Sequence, residues 1–419
     1  MPHPHSLPAM RSLLALLALA TPLAGAAPDE GALGRDAGYP VAPRMSRIHD
    51  PGFIVGSFSA LDTLAPHCLL APAEHPLALP AAAPSPAFDY RFDGHTLTLD
   101  DYLQRQRATG LLVLKDGEIV AERYNYARTP DMRMLSNSMA KTLVALAVGQ
   151  ALADGMIHSI DDTAARYVPE LEGTLFGETR LVNLLRMASG ARYVEDYTDR
   201  DDRAAFNAAA RRQGVLAAAR SVTERADPQG AKFNYAGAQT EVLGLVLRNA
   251  TRHGLCETIG ERLWRPLGAE STASYMLNPV DRVEQAQGGF NATLRDYGRL
   301  GAMLANDGRV GDRQVVPREW ILAMTDADRQ PPQFRPGAMD SHGSHYLGYG
   351  YQVWLLPGAH RRFVLLGVYG QAIYVDPALK LVMVHLAVGA DARGDASGAH
   401  LGQERDALWR GVVARYGAW

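Results

Sequence analysis

Apolar positions are arranged one way at the two ends of this chain and another way in its middle. Residues 111–124, LLVLKDGEIVAERY, are two strand-like runs around Asp116-Gly117, the pair that closes a two-residue hairpin. Strand-like runs return only late, in GYGYQVWLL (348–356), RRFVLLGVYGQAIYVDP (361–377) and LKLVMVHLAVG (379–389). From 156 to about 285 the pattern is helical, in pieces such as TRLVNLLRMASG and AQTEVLGLVLRNATR, and no alternating strand of any length is predicted there.

Capping residues mark several helices. Thr98 with Asp100 and Asp101 starts one in HTLTLDDYLQRQ, and Gly155 stops the one that follows Ser138. GGFNATLRDYGRLGAMLANDG has Asn291 or Thr293 as a cap and Gly308 past its end, and GQERDALWRGVVARYGAW closes the chain as an amphipathic helix. Strands therefore bracket a helical middle. The expected fold is α+β: one antiparallel sheet from the early hairpin and the late strands, the first and last helices on one face, and an inserted helical lobe (about 156–285) beside the other. A cleft between lobes is where a site is expected. The organised domain is expected to run over 96–419.

The beginning of the chain reads differently. MPHPHSLPAMRSLLALLALATPLAGAAPDE has a basic Arg11, an apolar core over Leu13–Ala20 and small residues at Ala24-Gly25-Ala26. Residues 1–26 are thus expected to be a signal peptide, with Met1 or Met10 as the start, and the protein periplasmic or secreted. Residues 27–95, rich in Pro and Ala, are expected to be an irregular surface extension. No later segment reads as transmembrane.

With 419 residues and 47% hydrophobic content, the chain can bury a large core. A net charge of -3 with no basic stripe argues against nucleic acid as a partner. Cys68 and Cys256 could pair in an oxidising compartment or remain as two buried thiols. No metal motif is present, and His342 and His345 in DSHGSH read as solvated loop residues. Neither a metal nor an organic cofactor is called for, and oligomeric state is not legible.

Only four of the 42 basic residues are lysine: Lys115, Lys141, Lys232 and Lys380. Lys141 follows Ser138 by three residues at the head of an apolar helix, LSNSMAKTLVALAVGQALADG, so both point the same way. A serine hydroxyl is inert until a base takes its proton, and a neutral lysine can be that base where arginine, always charged, cannot. Burial among Met139, Ala140, Leu143 and Val144 would lower the lysine's pKa.

S-x-x-K is a signature of serine β-lactamases and penicillin-binding proteins. Two further elements fit: Tyr235 in KFNYAGAQTEVLG, and Val368-Tyr369-Gly370 followed by Gln371 in LLGVYGQAIYVDP. With GLLVLKDGEIVAERY, EDYTD and GGFNATLRDYGRLG, the chain from about residue 90 resembles the serine β-lactamase-like superfamily, in its class C and family VIII carboxylesterase branch. Within that branch it is most similar to 6-aminohexanoate-dimer hydrolases.

The resemblance implies Ser138 as nucleophile, Lys141 as base and Tyr235 as proton relay, with the N–H groups of Ser138 and Gln371 as oxyanion hole. It implies Tyr197, Gly237, Tyr369 and Gly370 as substrate-binding positions. Gly237 stands where penicillin-recognising enzymes carry Asn, and Val368 where K-T-G carries Lys. Both departures point away from β-lactams and toward an uncharged ester or linear amide. The expected function is an exported serine hydrolase working through an acyl-enzyme on a small-molecule ester or amide. The alternatives are a β-lactamase or D,D-peptidase, and a non-catalytic sensor or binding relative.

Overall fold

The computed structural model describes residues 27–83, 88–198, 200–339, 346–393 and 400–419. The expected signal peptide, His342 and His345 lie outside the described residues.

The early hairpin forms as expected. Strands Ala108–Lys115 and Glu118–Tyr124 flank Asp116 (φ 53°) and Gly117 (φ 83°), the two left-handed residues that such a turn requires. They join the late strands in one seven-stranded sheet. Its order is Gly348–Tyr349, Trp354–Leu356, Arg362–Gly367, Gln371–Asp376, Leu381–Ala387, Ala108–Lys115, Glu118–Tyr124. Every pairing is antiparallel, so the last strands of the chain are zipped onto the first hairpin.

Alternation divides the core. Leu111, Val113 and Met383 face helices Leu99–Arg105 and Leu401–Tyr416, packing with Tyr102, Leu408 and Trp409. Leu112, Leu114, Val382 and Val384 face the opposite way, toward Leu300 and Leu304 of helix Leu294–Ala305 and toward helix Ala140–Ala153. Each such side chain contributes roughly 1.5–3 kcal/mol when buried, so a one-residue slip would exchange both faces at prohibitive cost. Thr98 caps its helix in a reciprocal box with Asp101, and Thr293, rather than Asn291, caps Leu294–Ala305.

The middle departs from expectation at one place. Ala273–Met276 is a strand inside the segment read as wholly helical. All four of its residues are buried, so it carries no alternation to reveal it. It lies in a second sheet, ordered His67–Leu70, Ala273–Met276, Phe290–Ala292, Met134–Leu135.

The Pro/Ala-rich segment carries more regular structure than its composition predicts. It holds helix Pro51–Ser59, the edge strand His67–Leu70 of the second sheet, and a small core in which Ile54, Val55 and Phe58 meet Tyr126 and Leu135. Cys68 and Cys256 are joined in a disulfide with Cα atoms 6.3 Å apart, tying this segment to helix Leu255–Ile259. Among the described residues no helix is long and apolar enough to cross a membrane.

Candidate active site

The second sheet delivers the serine. Strand Met134–Leu135 runs into a single 3-10 turn, Asn137–Met139, and then into helix Ala140–Ala153. Asn137 has a left-handed backbone (φ 45°), which asparagine tolerates better than most residues. Its side-chain amide donates to the Val368 carbonyl at 3.0 Å. The helix is a core element: 12 of its 14 residues are buried, so a lysine in its first turn has little water to turn to.

Lys141 is 2% exposed. Its Nζ donates to Ser138 Oγ at 2.9 Å and to the Gln287 carbonyl at 2.7 Å. Among the described residues no carboxylate forms an ion pair with it. Burial drives its pKa from 10.5 down to about 8, opposed by the charges of Glu195 and Glu241 and aided by Arg203. At pH 7 about one molecule in ten then carries a neutral amine, a hundred or more times the fraction of an exposed lysine.

Tyr235 completes the corner. Its hydroxyl faces Ser138, while burial and Glu195 push the phenol above its ordinary value, so it keeps its proton near neutrality. The ring stacks on Trp354 (5.7 Å, 22°), and Lys141 Nζ lies 5.2 Å from its centroid. Trp354, from an edge region of the large sheet, thus sets the tyrosine's orientation.

Tyr197 and Gly237 are linked through a residue that sequence reasoning passed over. Glu195 accepts from the Tyr197 hydroxyl at 3.2 Å and from the Gly237 N–H at 2.7 Å. Gly237 begins helix Gly237–Thr251, and a Cβ there would lie 1.8 Å from Gln287 Oε1. The Gln287 side chain therefore fills the space an asparagine at 237 would need.

The third element lies differently from its expected register. Strands Arg362–Gly367 and Gln371–Asp376 form a hairpin, and Val368–Gly370 is its connection. Gly367 abuts the nucleophile turn, since a Cβ on it would come within 2.4 Å of the Ser136 carbonyl. Gln371 is 1% exposed and its side-chain amide donates to the Ala387 carbonyl at 2.7 Å. Tyr369 stacks on His49 (4.8 Å) and meets Phe58 edge-on, both from the Pro/Ala-rich segment.

A cavity of about 800 Å³ opens beside Ser138. Tyr197, Tyr235, Val368 and Gly370 line it; Gln371, Tyr369 and Gly237 are not among its described lining residues. Its lining mixes apolar Leu347, Trp354, Val364 and Leu366 with charged Arg192, Glu195, Lys232, Arg393, Arg405 and Asp406. Ser138, Lys141, Tyr235 and Tyr197 are thus brought together, while Gln371 is buried behind the hairpin connection and outside the described lining. Beyond Glu195, the sequence reading missed Gln287 and Glu241. Glu195 had a weak signal, two residues before Tyr197 in EDYTD; Gln287 and Glu241 had none, because their roles arise from packing.

The Beta-lactamase family model matches residues 98–405. A 6-aminohexanoate-dimer hydrolase of Paenarthrobacter ureafaciens is 29% identical over 314 residues, 72% of this chain and 78% of that protein. Among solved structures, a Bacillus anthracis protein provisionally identified as a 6-aminohexanoate-dimer hydrolase superposes with a TM-score of 0.74 at 23% identity, covering 86% of this chain and 95% of that one. A penicillin-binding protein homologue from Caulobacter crescentus gives a TM-score of 0.53 at 16% identity, with 73% and 93% covered.

Proposed function

Because this chain belongs to the Beta-lactamase family and is a serine hydrolase, we propose that it cleaves an ester or linear amide through an acyl-enzyme on Ser138. Lys141 takes the Ser138 proton as Oγ attacks the carbonyl. Tyr235 passes a proton to the leaving oxygen or nitrogen, and water then releases the acid. The observation that carries this reading is the 2.9 Å contact between Lys141 Nζ and Ser138 Oγ, made by a buried amine that no carboxylate among the described residues contacts.

The tetrahedral oxyanion needs two donors on one side of the serine. The Ser138 N–H is one. We assign the second to the N–H of Val368 in place of Gln371. Support comes from the Asn137–Val368 hydrogen bond and the close approach of Gly367, which put that stretch of backbone against the nucleophile turn.

Substrate class follows from the walls. Apolar Leu366, Val364 and Trp354 in the lining suit an uncharged chain beside the reacting carbonyl, and Val368 stands where a carboxylate-recognising enzyme carries a Lys. The relative from Paenarthrobacter ureafaciens, named for a linear amide dimer, agrees with that reading. Export is proposed from the apolar N-terminal run together with the disulfide, a bond that persists in oxidising compartments.

The test is hydrolysis of p-nitrophenyl butyrate and of a linear amide, with mass spectrometry of a fluorophosphonate adduct. Wild type should turn over the ester and carry the adduct on Ser138; Ser138→Ala should lose both. Equal rates in the two proteins, or fast nitrocefin turnover with poor ester hydrolysis, would contradict the reading.

A further inference from the structure

Glu241 is a buried carboxyl that no step described above uses. It lies on helix Gly237–Thr251 and is 3% exposed. Its oxygens accept two successive backbone N–H groups, those of Ala286 and Gln287, each at 3.2 Å. The carbonyl of the same Gln287 receives Lys141 Nζ at 2.7 Å. The turn that carries it is closed by the Gly288 N–H to the Gln285 carbonyl (3.2 Å), and the Tyr275 hydroxyl donates to the Ala286 carbonyl (3.3 Å). A continuous path therefore runs from Glu241 through one backbone turn to the amine and on to Ser138 Oγ.

We propose that Glu241 is a positioning residue for the reaction: it clamps the 286–287 backbone so that Gln287 holds the Lys141 amine on Ser138, and its charge governs how readily that amine gives up its proton. This deepens the reading of Lys141 as base and rests on it.

Charged and titratable groups face the pair from several elements. Glu195 and Arg203 act on Lys141 from the loop and helix on one side, and Tyr235 presents its ring. Tyr275, whose phenol burial holds well above its ordinary value, faces Glu241 from strand Ala273–Met276. Burial pushes the Glu241 carboxyl up to about 7, against the two N–H bonds and the Lys141 charge that pull it down. It thus changes charge in the pH range where the base must work. An ionised Glu241 favours the ammonium form of Lys141, and a neutral one releases it.

The scarcity of lysine makes a direct test practical. With [ε-¹³C]lysine, four Cε signals are expected, and Lys141→Met identifies the one of interest. In Glu241→Gln the Lys141 midpoint should fall by about one pH unit, the scale of a lost neighbouring charge. In Glu241→Asp the charge stays but its reach to the N–H groups shortens, so the midpoint should hold while kcat for p-nitrophenyl butyrate falls about tenfold, within the range of misplaced general bases. Equal midpoints in wild type and Glu241→Gln would overturn the proposal, as would an Asp variant with unchanged kcat. Circular dichroism checks each fold; if the Gln variant does not fold, the Asp variant decides on kcat alone. The midpoint needs no turnover: a wild type inert to esters whose midpoint still responds to Glu241 sinks the proposed function and leaves this inference standing.

Discussion

Two fully buried cations occupy opposite parts of this molecule, and they are held in opposite ways. Arg362, at the start of a central strand of the large sheet, is bonded directly to Asp376 on the neighbouring strand and donates to the Ala418 carbonyl at 2.7 Å. Among the described residues Lys141 bonds to neutral acceptors alone, a serine hydroxyl and a peptide carbonyl, with its acidic neighbours Glu195 and Glu241 acting at a distance. Arginine is a permanent cation in proteins, and a contacting carboxylate compensates its burial. A lysine without such a contact carries an uncompensated burial cost whenever it is charged, and relieves it by losing a proton. The first arrangement is architecture; the second leaves an amine that can release its proton. This also accounts for a lysine at position 141 in a chain that otherwise favours arginine.

That contrast can be broken from both ends. The largest effect is expected at the site: Lys141→Arg should lower kcat/KM for p-nitrophenyl butyrate by about 10³-fold or more, because a guanidinium cannot accept the Ser138 proton. Arg362→Met should do the reverse, lowering unfolding free energy in urea by about 3–5 kcal/mol because Asp376 is left buried and unpaired, while activity per folded molecule is retained.

Lys141→Met should abolish activity yet stabilise the protein near pH 6. The sign follows from the lowered pKa. Between about 8 and 10.5 the unfolded chain binds the proton that the folded one has released, so stability from this group rises with pH across that window, and the cost is complete below it. The gain from Lys141→Met should therefore reach up to about 3 kcal/mol at pH 6 and vanish above pH 10.5. Catalysis has the matching profile: kcat/KM should climb about tenfold per pH unit and level off above about pH 8. Cys68→Ser gives a control far from the chemistry, with stability lower by about 2–5 kcal/mol and the pH profile unmoved. The smallest effect is expected at Tyr197→Phe, a few-fold loss on amide with little change on ester, since the substitution removes the Glu195 contact of a cavity-lining hydroxyl and leaves the ring in place.

The difference between local and assembled features decides how much of this was legible in the chain. Ser138 and Lys141 are one helical turn apart, so their meeting is fixed by helix geometry and could be read directly. The Asp116-Gly117 hairpin, the Thr98 and Thr293 caps and the closing helix are local in the same sense. The approach of the third element is not. Gly367, rather than Gly370, is the glycine that meets the turn carrying Ser138; which one does so depends on where a hairpin turns, which Gly367-Val368-Tyr369-Gly370 leaves open. Ala273–Met276 escaped because a strand buried on both faces has no alternation. Glu241 and Gln287 escaped for a deeper reason: each is an ordinary polar residue until the second sheet and helix Gly237–Thr251 bring it to Lys141.

The central claim is that Lys141 gives up its proton close to neutrality because burial, with no contacting carboxylate, forces it to. A ¹³C titration of the Lys141 Cε signal in the resting wild-type protein measures that directly. A midpoint near pH 8 is predicted; a midpoint at the ordinary lysine value near 10.4 would contradict the account.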